Sequence, residues 1–191
     1  MKLGTTALVL VLAPLLAVGE AVQDVLVPPS QDPFYTPPLG YKRANAGAIL
    51  RSRAIHYNGT VDNVESVHQL LYRTVDVLGN KIATVATILQ PRKANASRVV
   101  SFQEYEDAPW IDCAPSYADI QLNSNAMTNI YLSALMNKGY YVVLPDFQGP
   151  DSAYLCGGTS GLGVLDGIRA TLTSGNLTGV KTKLEKTRSF L

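Results

Sequence analysis

The sequence predicts an α/β fold in which antiparallel strands enter an open sheet and a parallel β-α-β-α unit follows. Residues 68–91 carry the first signal, because two runs rich in β-branched residues alternate in polarity on either side of a short turn. Residues 122–172 carry the second, because two segments with helical spacing surround a short, continuous apolar run. Such a run is typical of a strand buried on both faces of a parallel sheet. With 191 residues, 47% of them hydrophobic, the chain is long enough for one domain with its own core.

Charge and histidine content exclude several classes of function. Lys and Arg number 16 against 15 Asp and Glu, so no strong positive field exists to attract nucleic acid. The two histidines, His56 and His68, stand in no metal-binding spacing. The stretch "GGTSGLG" at 157–163 lacks the lysine of a P-loop and the spacing of a dinucleotide-binding loop, so a surface turn is the simpler interpretation. We therefore expect neither a metal nor a cofactor.

The first 19 residues have the pattern of a secretory signal peptide. Lys2 provides the positive start, residues 7–18 form an apolar run, and "AVG" at 17–19 offers small residues for cleavage. A membrane anchor is the alternative, but the run is short and contains Pro14, whereas a spanning helix needs about 20 apolar residues. We expect a secreted, extracellular protein with no transmembrane span.

If the protein is exported, three glycosylation sequons can be modified and two cysteines can form disulfides. The sequons begin at Asn58, Asn95 and Asn176, and each alone is a weak signal. Cys113 and Cys156 are the only cysteines, and in an oxidising compartment they can pair with each other. The alternative is that one of them lacks its proper partner.

The remaining elements follow in chain order. Five prolines rule out a regular helix in residues 20–45, so we expect either an extended arm anchored by Phe34 and Tyr35 or a mobile tail. The domain core is predicted over residues 46–176. Its elements are a strand at 46–57, a hairpin at 68–91 turning at 78–80, a strand at 97–107, a helix at 122–139 capped within 123–125, a strand at 140–147, a glycine-rich loop at 148–161, and a helix at 162–172 capped by Ser160 and ended by Gly175.

The last segment, 177–191, has neither helical nor strand periodicity and is crowded with charge, so we expect a solvated polar tail. The helix at 162–172 has leucines and an isoleucine to bury. We therefore expect it to need a further strand beneath it, which the tail does not supply.

Nucleophilic catalysis on such a sheet needs a serine in a G-x-S-x-G turn, with an acid and a histidine later in the chain. Ser160 in "GTSGL" does not fit that turn, and no other serine does. The sequence does contain a candidate for another part of such an active site, the loop that supplies an oxyanion donor. The stretch at 105–117 leaves a strand and leads towards a helix, as does the loop that supplies one oxyanion donor in such enzymes. Asp107 lies where that strand ends, although an exposed loop acid is more often only solvated.

Several stretches of the sequence together resemble the N-terminal part of the fungal secretory lipase family, of the lipase A type. The stretches are "QDPFYTPPLGY", "GAILRSR", "QLLYRTVDVLGNKIATVATIL", "SFQEYEDAPWIDCAPSY", "GYYVVLPDFQGPDSAY" and "GVLDGIRA". The resemblance implies an α/β-hydrolase fold with a helical lid, secretion, and hydrolysis of triacylglycerol esters at a lipid–water interface. It also implies that Asp107 of the "YED" motif helps to form the oxyanion hole, and that Cys113 pairs with a cysteine further downstream.

The sequence departs from that family after residue 170, where family members continue into the strand and turn that carry the nucleophile. We therefore expect an incomplete α/β-hydrolase-type sheet, truncated before that strand, without the serine, acid and histidine of the triad and without activity of its own. We further expect the edge of residues 140–147 to be exposed and the chain to be poorly soluble. The alternatives are a non-catalytic secreted fragment that binds lipid or protein, and a hydrolase of another specificity, such as a peptidase or a sugar esterase.

Overall fold

The structure is a computed structural model that describes residues 22–23, 26–57, 59–121 and 126–181. Within these ranges the chain forms one six-stranded mixed sheet of order β1-β2-β3-β4-β6-β5. The strands are β1 (Val22–Gln23), β2 (Ile49–Ile55), β3 (Val64–Val75), β4 (Lys81–Pro91), β5 (Val99–Ser101) and β6 (Tyr141–Pro145). The helices are α1 (Pro115–Gln121), α2 (Ala126–Asn137), α3 (Gly157–Thr173) and α4 (Gly175–Thr178).

The predicted hairpin is confirmed as β3 and β4, which pair antiparallel from Val64 to Pro91. β3 begins four residues before the predicted start. Its turn is fixed by Asp76, whose carboxylate accepts the backbone N–H groups of Leu78 and Asn80 at 2.9 and 2.8 Å. Gly79 adopts a φ of +83°, which glycine reaches without steric cost. The turn therefore spans residues 76–80 rather than 78–80.

The predicted exposed edge at 140–147 is wrong. β6 is confirmed as a strand, but it lies between β4, to which it is antiparallel, and β5, to which it is parallel. The edge strand on this side of the sheet is β5, which has three residues instead of the predicted span 97–107. One further bond, from the Phe102 N–H to the Val143 carbonyl, extends it before the chain leaves the sheet. The edge is therefore short, which limits pairing with other chains.

The helices differ from the prediction in number and in their starts. α1 was not predicted, and it begins at Pro115, where the fixed φ of proline suits the first turn. α2 is confirmed, but its predicted cap at 123–125 lies outside the described residues. α3 begins five residues before the predicted start at 162, so Ser160 lies in its first turn instead of capping it. Gly175 does not end α3 but starts the short helix α4.

α3 packs across β3, β4 and β6 of the existing sheet, but its buried residues are small or polar and Leu165 is 52% exposed. The expectation that this helix needs a further strand therefore stays a prediction. Tyr72 donates its hydroxyl to the Gly163 carbonyl at 2.7 Å, and Thr74 donates to Asp166 at 2.7 Å. Val180 is buried beyond α4. The rest of the predicted tail, from residue 182, lies outside the described residues.

The opposite face of the sheet is covered by α1, α2 and the segment 26–45. This segment forms three short 3-10 turns, Pro29–Gln31, Pro33–Tyr35 and Tyr41–Arg43. Phe34 lies against the guanidinium of Arg53, 4.1 Å from its ring centre, so the segment is packed on the sheet. The predicted domain boundaries stay a prediction, and residues 1–21 lie outside the described part.

One end of the sheet collects four loops. β3, β5 and β6 all end there, and β2 and β4 begin there, since both are antiparallel to β3. We call this end the carboxyl edge. Its loops are residues 36–48, 76–80, 102–114 and 146–156. In open α/β sheets ligands bind beyond the carboxyl ends of the strands, so this edge is where a site is expected.

Candidate active site

The best-anchored group at the carboxyl edge is Asp146, which follows β6 directly and is 2% exposed. Its two carboxylate oxygens accept hydrogen bonds from the backbone N–H and the hydroxyl of Ser116, at 2.8 and 2.6 Å. Its backbone is held as well, because its N–H donates to the Val85 carbonyl and its own carbonyl accepts the Thr84 hydroxyl. Asp146 therefore fixes the start of α1, and with it the end of the 102–114 loop, to the centre of the sheet.

Two carboxyl groups near this point have raised pKa values. Burial raises the pKa of Asp146 to about 7, although the hydrogen bonds from Ser116 oppose the shift, and the negative charge of Asp119 adds to it. Burial and the nearby charges of Asp146 and Asp119 raise the pKa of Glu106 to about 8. At neutral pH both groups are partly protonated, so the site can hold carboxylic acids as hydrogen-bond donors.

Gln148 connects the loop after β6 to the loop after β5. This side chain is 3% exposed, and its amide nitrogen donates to the backbone carbonyl of Glu106 at 2.8 Å. In a planar trans peptide the carbonyl and the following N–H point in opposite directions. The contact therefore turns the Asp107 N–H away from Gln148. Among the described residues, no acceptor is recorded for that N–H.

Asp107 itself is exposed on the 102–114 loop at the carboxyl edge. The structure thus brings its loop against the loop after β6, through Gln148 and Asp146. A free backbone donor, aimed by a buried side chain, is what an oxyanion hole requires. The catalytic role of Asp107 stays a prediction.

The cysteines do not form the predicted bridge. Cys113 is exposed, Cys156 is half-buried, and both are free thiols, so their pairing is not confirmed. Cys156 lies just before α3, with its sulfur 3.3 Å from the Thr159 hydroxyl. That hydrogen bond lowers the pKa of the Cys156 thiol.

The other predicted residues lie away from this site. Asn95 and Asn176 are exposed, and Asn58 falls outside the described residues. His56 and His68 line a cavity of about 390 Å³ at the opposite end of the sheet, where β2 ends and β3 begins. In the part of the chain that the structure describes, no group of three or more His, Cys, Asp or Glu side chains is placed to hold a metal ion. In those same ranges, no helix is long and apolar enough to cross a bilayer.

Three residues that build the site were missed from the sequence. Asp146 had a usable signal, because it follows a buried strand directly at a position where open sheets bind ligands. Ser116 and Gln148 had none. Ser116 meets Asp146 across 30 residues, and Gln148 meets Glu106 across 42 residues. Such contacts depend on how the loops pack, which periodicity does not encode.

Comparison with known proteins relates this chain to lipases. The family model "Secretory lipase" matches residues 117–187. Lipase A of Arthroderma benhamiae is 41% identical over 174 residues, which cover 83% of this chain and 37% of that protein. Lipase 5 of Candida albicans is 44% identical over 163 residues, covering 80% of this chain and 35% of its own length. Over residues 117–187 the chain is therefore similar to the secretory lipase family.

The fold of this chain matches solved structures. The X-ray structure of Candida antarctica lipase A superposes with a TM-score of 0.74 at 36% identity, over 80% of this chain and 37% of that one. The esterase LipA of Xanthomonas oryzae matches with a TM-score of 0.53 at 15% identity, which shows the fold alone. The predicted α/β-hydrolase-type sheet is confirmed. The chain spans little more than a third of the length of the relatives and structures that it matches.

Proposed function

We propose that this chain supplies the carboxyl edge and one oxyanion donor of a secreted carboxylic ester hydrolase that acts on triacylglycerols. The names of the relatives support the reaction class, since they are lipases. Because the chain spans little more than a third of those proteins, the activity, substrate and partners of the whole protein are part of the proposal. The substrate is an ester at a lipid–water interface.

A single observation carries the proposal: the N–H of Asp107 is an unengaged backbone donor at the carboxyl edge, and Gln148 fixes its direction. During ester hydrolysis a hydroxyl attacks the acyl carbon, the C=O electron pair moves onto oxygen, and the resulting oxyanion needs donors already in place. We assign the Asp107 N–H to this role. A rigid donor stabilises the transition state without reorganising during the reaction.

The attacking hydroxyl and its base are not available from the described residues. Ser160 is inside the first turn of α3, where its hydroxyl donates to the Cys156 carbonyl, so it is not on a strand-to-helix turn. Both histidines lie at the opposite end of the sheet. We therefore expect the 191-residue chain by itself to hydrolyse no ester.

Secretion and modification belong to the same proposal. Residues 1–19 serve as a signal peptide, and the sequons at Asn58, Asn95 and Asn176 carry N-glycans after export. The exposed side chains of Asn95 and Asn176 support this assignment. Cys113 is an exposed thiol and is available to pair with a downstream cysteine of the whole protein.

Two measurements test the function. The chain alone is first incubated with a p-nitrophenyl ester and a fluorophosphonate probe, and we expect neither turnover nor labelling of any serine. Residues 26–181 then replace the matching segment of Candida antarctica lipase A, and the hybrid is titrated with fluorophosphonate to count working sites. We expect the hybrid to hydrolyse the ester.

Substitutions at residue 107 of the hybrid separate the backbone from the side chain. Asp107→Pro removes the N–H and should lower kcat by about 100- to 1000-fold. Asp107→Ala keeps the N–H and is the matched control. Equal kcat for hybrid and Asp107→Pro, at equal probe titre, would contradict the oxyanion assignment. Serine labelling in the chain alone would contradict the prediction that it has no nucleophile of its own.

A further inference from the structure

The loop after β6 concentrates backbone strain next to a cysteine. Ser152 and Leu155 have φ values of +45° and +58°, in the left-handed region that residues other than glycine adopt only at a cost in free energy. Asn63 is the only other non-glycine residue with a positive φ among those that the structure describes. Strain of this kind concentrates at functional sites. The next residue is Cys156, whose thiol is free and half-buried, and therefore accessible.

The surroundings of Cys156 favour its thiolate form. Cys156 directly precedes α3, and the N-terminus of a helix stabilises a thiolate. Its sulfur lies 3.3 Å from the Thr159 hydroxyl. That hydroxyl already accepts the Val77 N–H at 3.1 Å, so its own proton remains to be donated to the sulfur. This hydrogen bond lowers the pKa of the thiol, and the thiolate is the form of cysteine that attacks disulfides.

The cavity beside Cys156 is lined by an unused hydrogen-bond acceptor and by acids. It has a volume of about 160 Å³ and lies between the β3–β4 turn and the loop after β6. Gln148 lines it and is 3% exposed, and its side-chain oxygen has no hydrogen-bond partner among the described residues. The charged residues of this lining, within the described part of the chain, are Asp76 and Asp151. A buried acceptor that lacks a donor, next to two carboxylates, indicates a ligand that brings a cationic donor.

We propose that Cys156 is a modification site that takes a small cationic aminothiol as a mixed disulfide. The Cys156 thiolate attacks one sulfur of a small disulfide, the S–S bond breaks, and a new S–S bond to Cys156 forms. The other half leaves as a thiolate and takes up a proton from water. One disulfide is consumed and one is formed, so no further oxidant is needed. The ammonium group of the adduct is held by the two carboxylates and donates to the Gln148 oxygen.

Thiol–disulfide exchange with the reduced 191-residue chain at low ionic strength tests this site. Cystamine carries an ammonium group at each end, and dithiodipropionate carries a carboxylate at each end. Cys113→Ser leaves Cys156 as the only cysteine, and Cys156→Ser is the matched control. By mass spectrometry we expect Cys156 to react about tenfold faster with cystamine than with dithiodipropionate, because acids that line a cavity concentrate cations. The control should react with cystamine more slowly than the Cys113→Ser chain.

Two further substitutions in the Cys113→Ser chain separate the charge from the activation of the thiol. Asp151→Asn should reduce the preference for cystamine about threefold, as expected for one nearby unit charge in water, whereas Asp62→Asn should preserve it. Thr159→Val removes the hydroxyl beside the sulfur and should shift the pH profile of the exchange rate to higher pH. Thr159→Ser keeps the hydroxyl and should restore the profile. Urea unfolding shows that each variant is folded.

Three results would overturn the proposal: equal exchange rates with cystamine and dithiodipropionate, a pH profile of Cys156 in the folded chain identical to that in urea, or a covalent dimer in place of the small-thiol adduct. The inference goes beyond the proposed ester hydrolysis and does not depend on it. Success or failure of the hybrid with esters leaves these exchange rates unchanged. The modification site and the proposed reaction can therefore fail separately.

Discussion

Two buried polar clusters tie loops to the same face of the sheet, and they differ in charge balance. The first, the arm cluster, consists of Asp32, Arg53 and Gln69. Arg53 donates to the Asp32 carboxylate at 2.6 Å and to the Gln69 side-chain oxygen at 2.8 and 2.6 Å. The second, the edge cluster, consists of Glu106, Asp146 and Gln148. Burial raises the pKa of both acids, and the charge of Asp119 adds to each shift, while Asp146 also raises the pKa of Glu106.

The two clusters meet at Ser116. Gln69 of the arm cluster donates to the Ser116 carbonyl at 2.7 Å, while Asp146 of the edge cluster binds the N–H and hydroxyl of the same residue. Tyr35 adds a contact of 2.6 Å between its hydroxyl and that of Ser116. The difference teaches that a buried cation balances the buried acid in the arm cluster, whereas the edge cluster has no cation. The edge cluster holds two acids whose pKa values are raised towards neutral pH, and functional sites often contain such groups.

The largest expected effect comes from removing the cation of the arm cluster. Arg53→Met leaves the Asp32 carboxylate buried without its partner, and we expect a loss of about 3–5 kcal/mol in the free energy of unfolding. Urea unfolding of the purified chain measures this loss.

Arg51→Met is the matched control, since Arg51 is an exposed arginine on the same strand and its loss should have little effect. Equal unfolding midpoints for Arg53→Met and Arg51→Met would contradict this prediction. The buried pair of Arg53 and Asp32 would then contribute no more to the stability of the fold than an exposed arginine does.

The next effect is a pH dependence that belongs to the edge cluster. The folded-state pKa of Asp146, about 7, lies above its ordinary value of 3.8, so the folded chain holds a proton that the unfolded chain releases. Its contribution is fully present below pH 3.8 and is lost as the pH rises to about 7, by about 1.4 kcal/mol per pH unit. Glu106 extends the loss towards pH 8. The unfolding midpoint should therefore be higher at pH 5 than at pH 8.

Asp146→Asn replaces the carboxyl by a neutral group of the same shape and should flatten much of this dependence. Asp62→Asn, at an exposed acid, is its control. If the wild-type midpoint rises from pH 5 to pH 8, the assignment of the raised pKa values is wrong.

The smallest effect concerns the hydrogen bond between Gln148 and Glu106. Gln148→Glu removes the donor, and we expect a loss of about 1–3 kcal/mol because the Glu106 carbonyl loses its partner. The NMR order parameter of the Asp107 amide should fall, since its peptide is no longer held in one orientation. Gln103→Glu makes the same change on the same loop, where the side chain is exposed and bonds only locally to Ser101. An unchanged order parameter at Asp107 would show that Gln148 does not orient that peptide.

Sequence patterns identified the hairpin, β6 and α2, because periodicity reports which face of a segment is buried. They failed where long-range packing overrides local signals. The glycines at 157, 158 and 161 indicated a loop, yet they lie in α3, whose second glycine packs against Val77 of the β3–β4 turn. The predicted strand at 97–107 shortened to three residues because the chain leaves β5 to follow the contacts of Gln148 and Asp146.

The sequence by itself determined the class of the sheet, the similarity to a known family and the position of the loop that carries Asp107. These follow from hydrophobic spacing and from stretches of residues that are read along the chain. Only the tertiary structure decided that β6 lies inside the sheet rather than at its edge, that α3 covers the existing strands, and that the Asp107 loop is held by buried groups far away in the chain. The physical reason is that hydrogen bonds between distant segments, and the pKa values of groups buried together, exist only once the segments have packed.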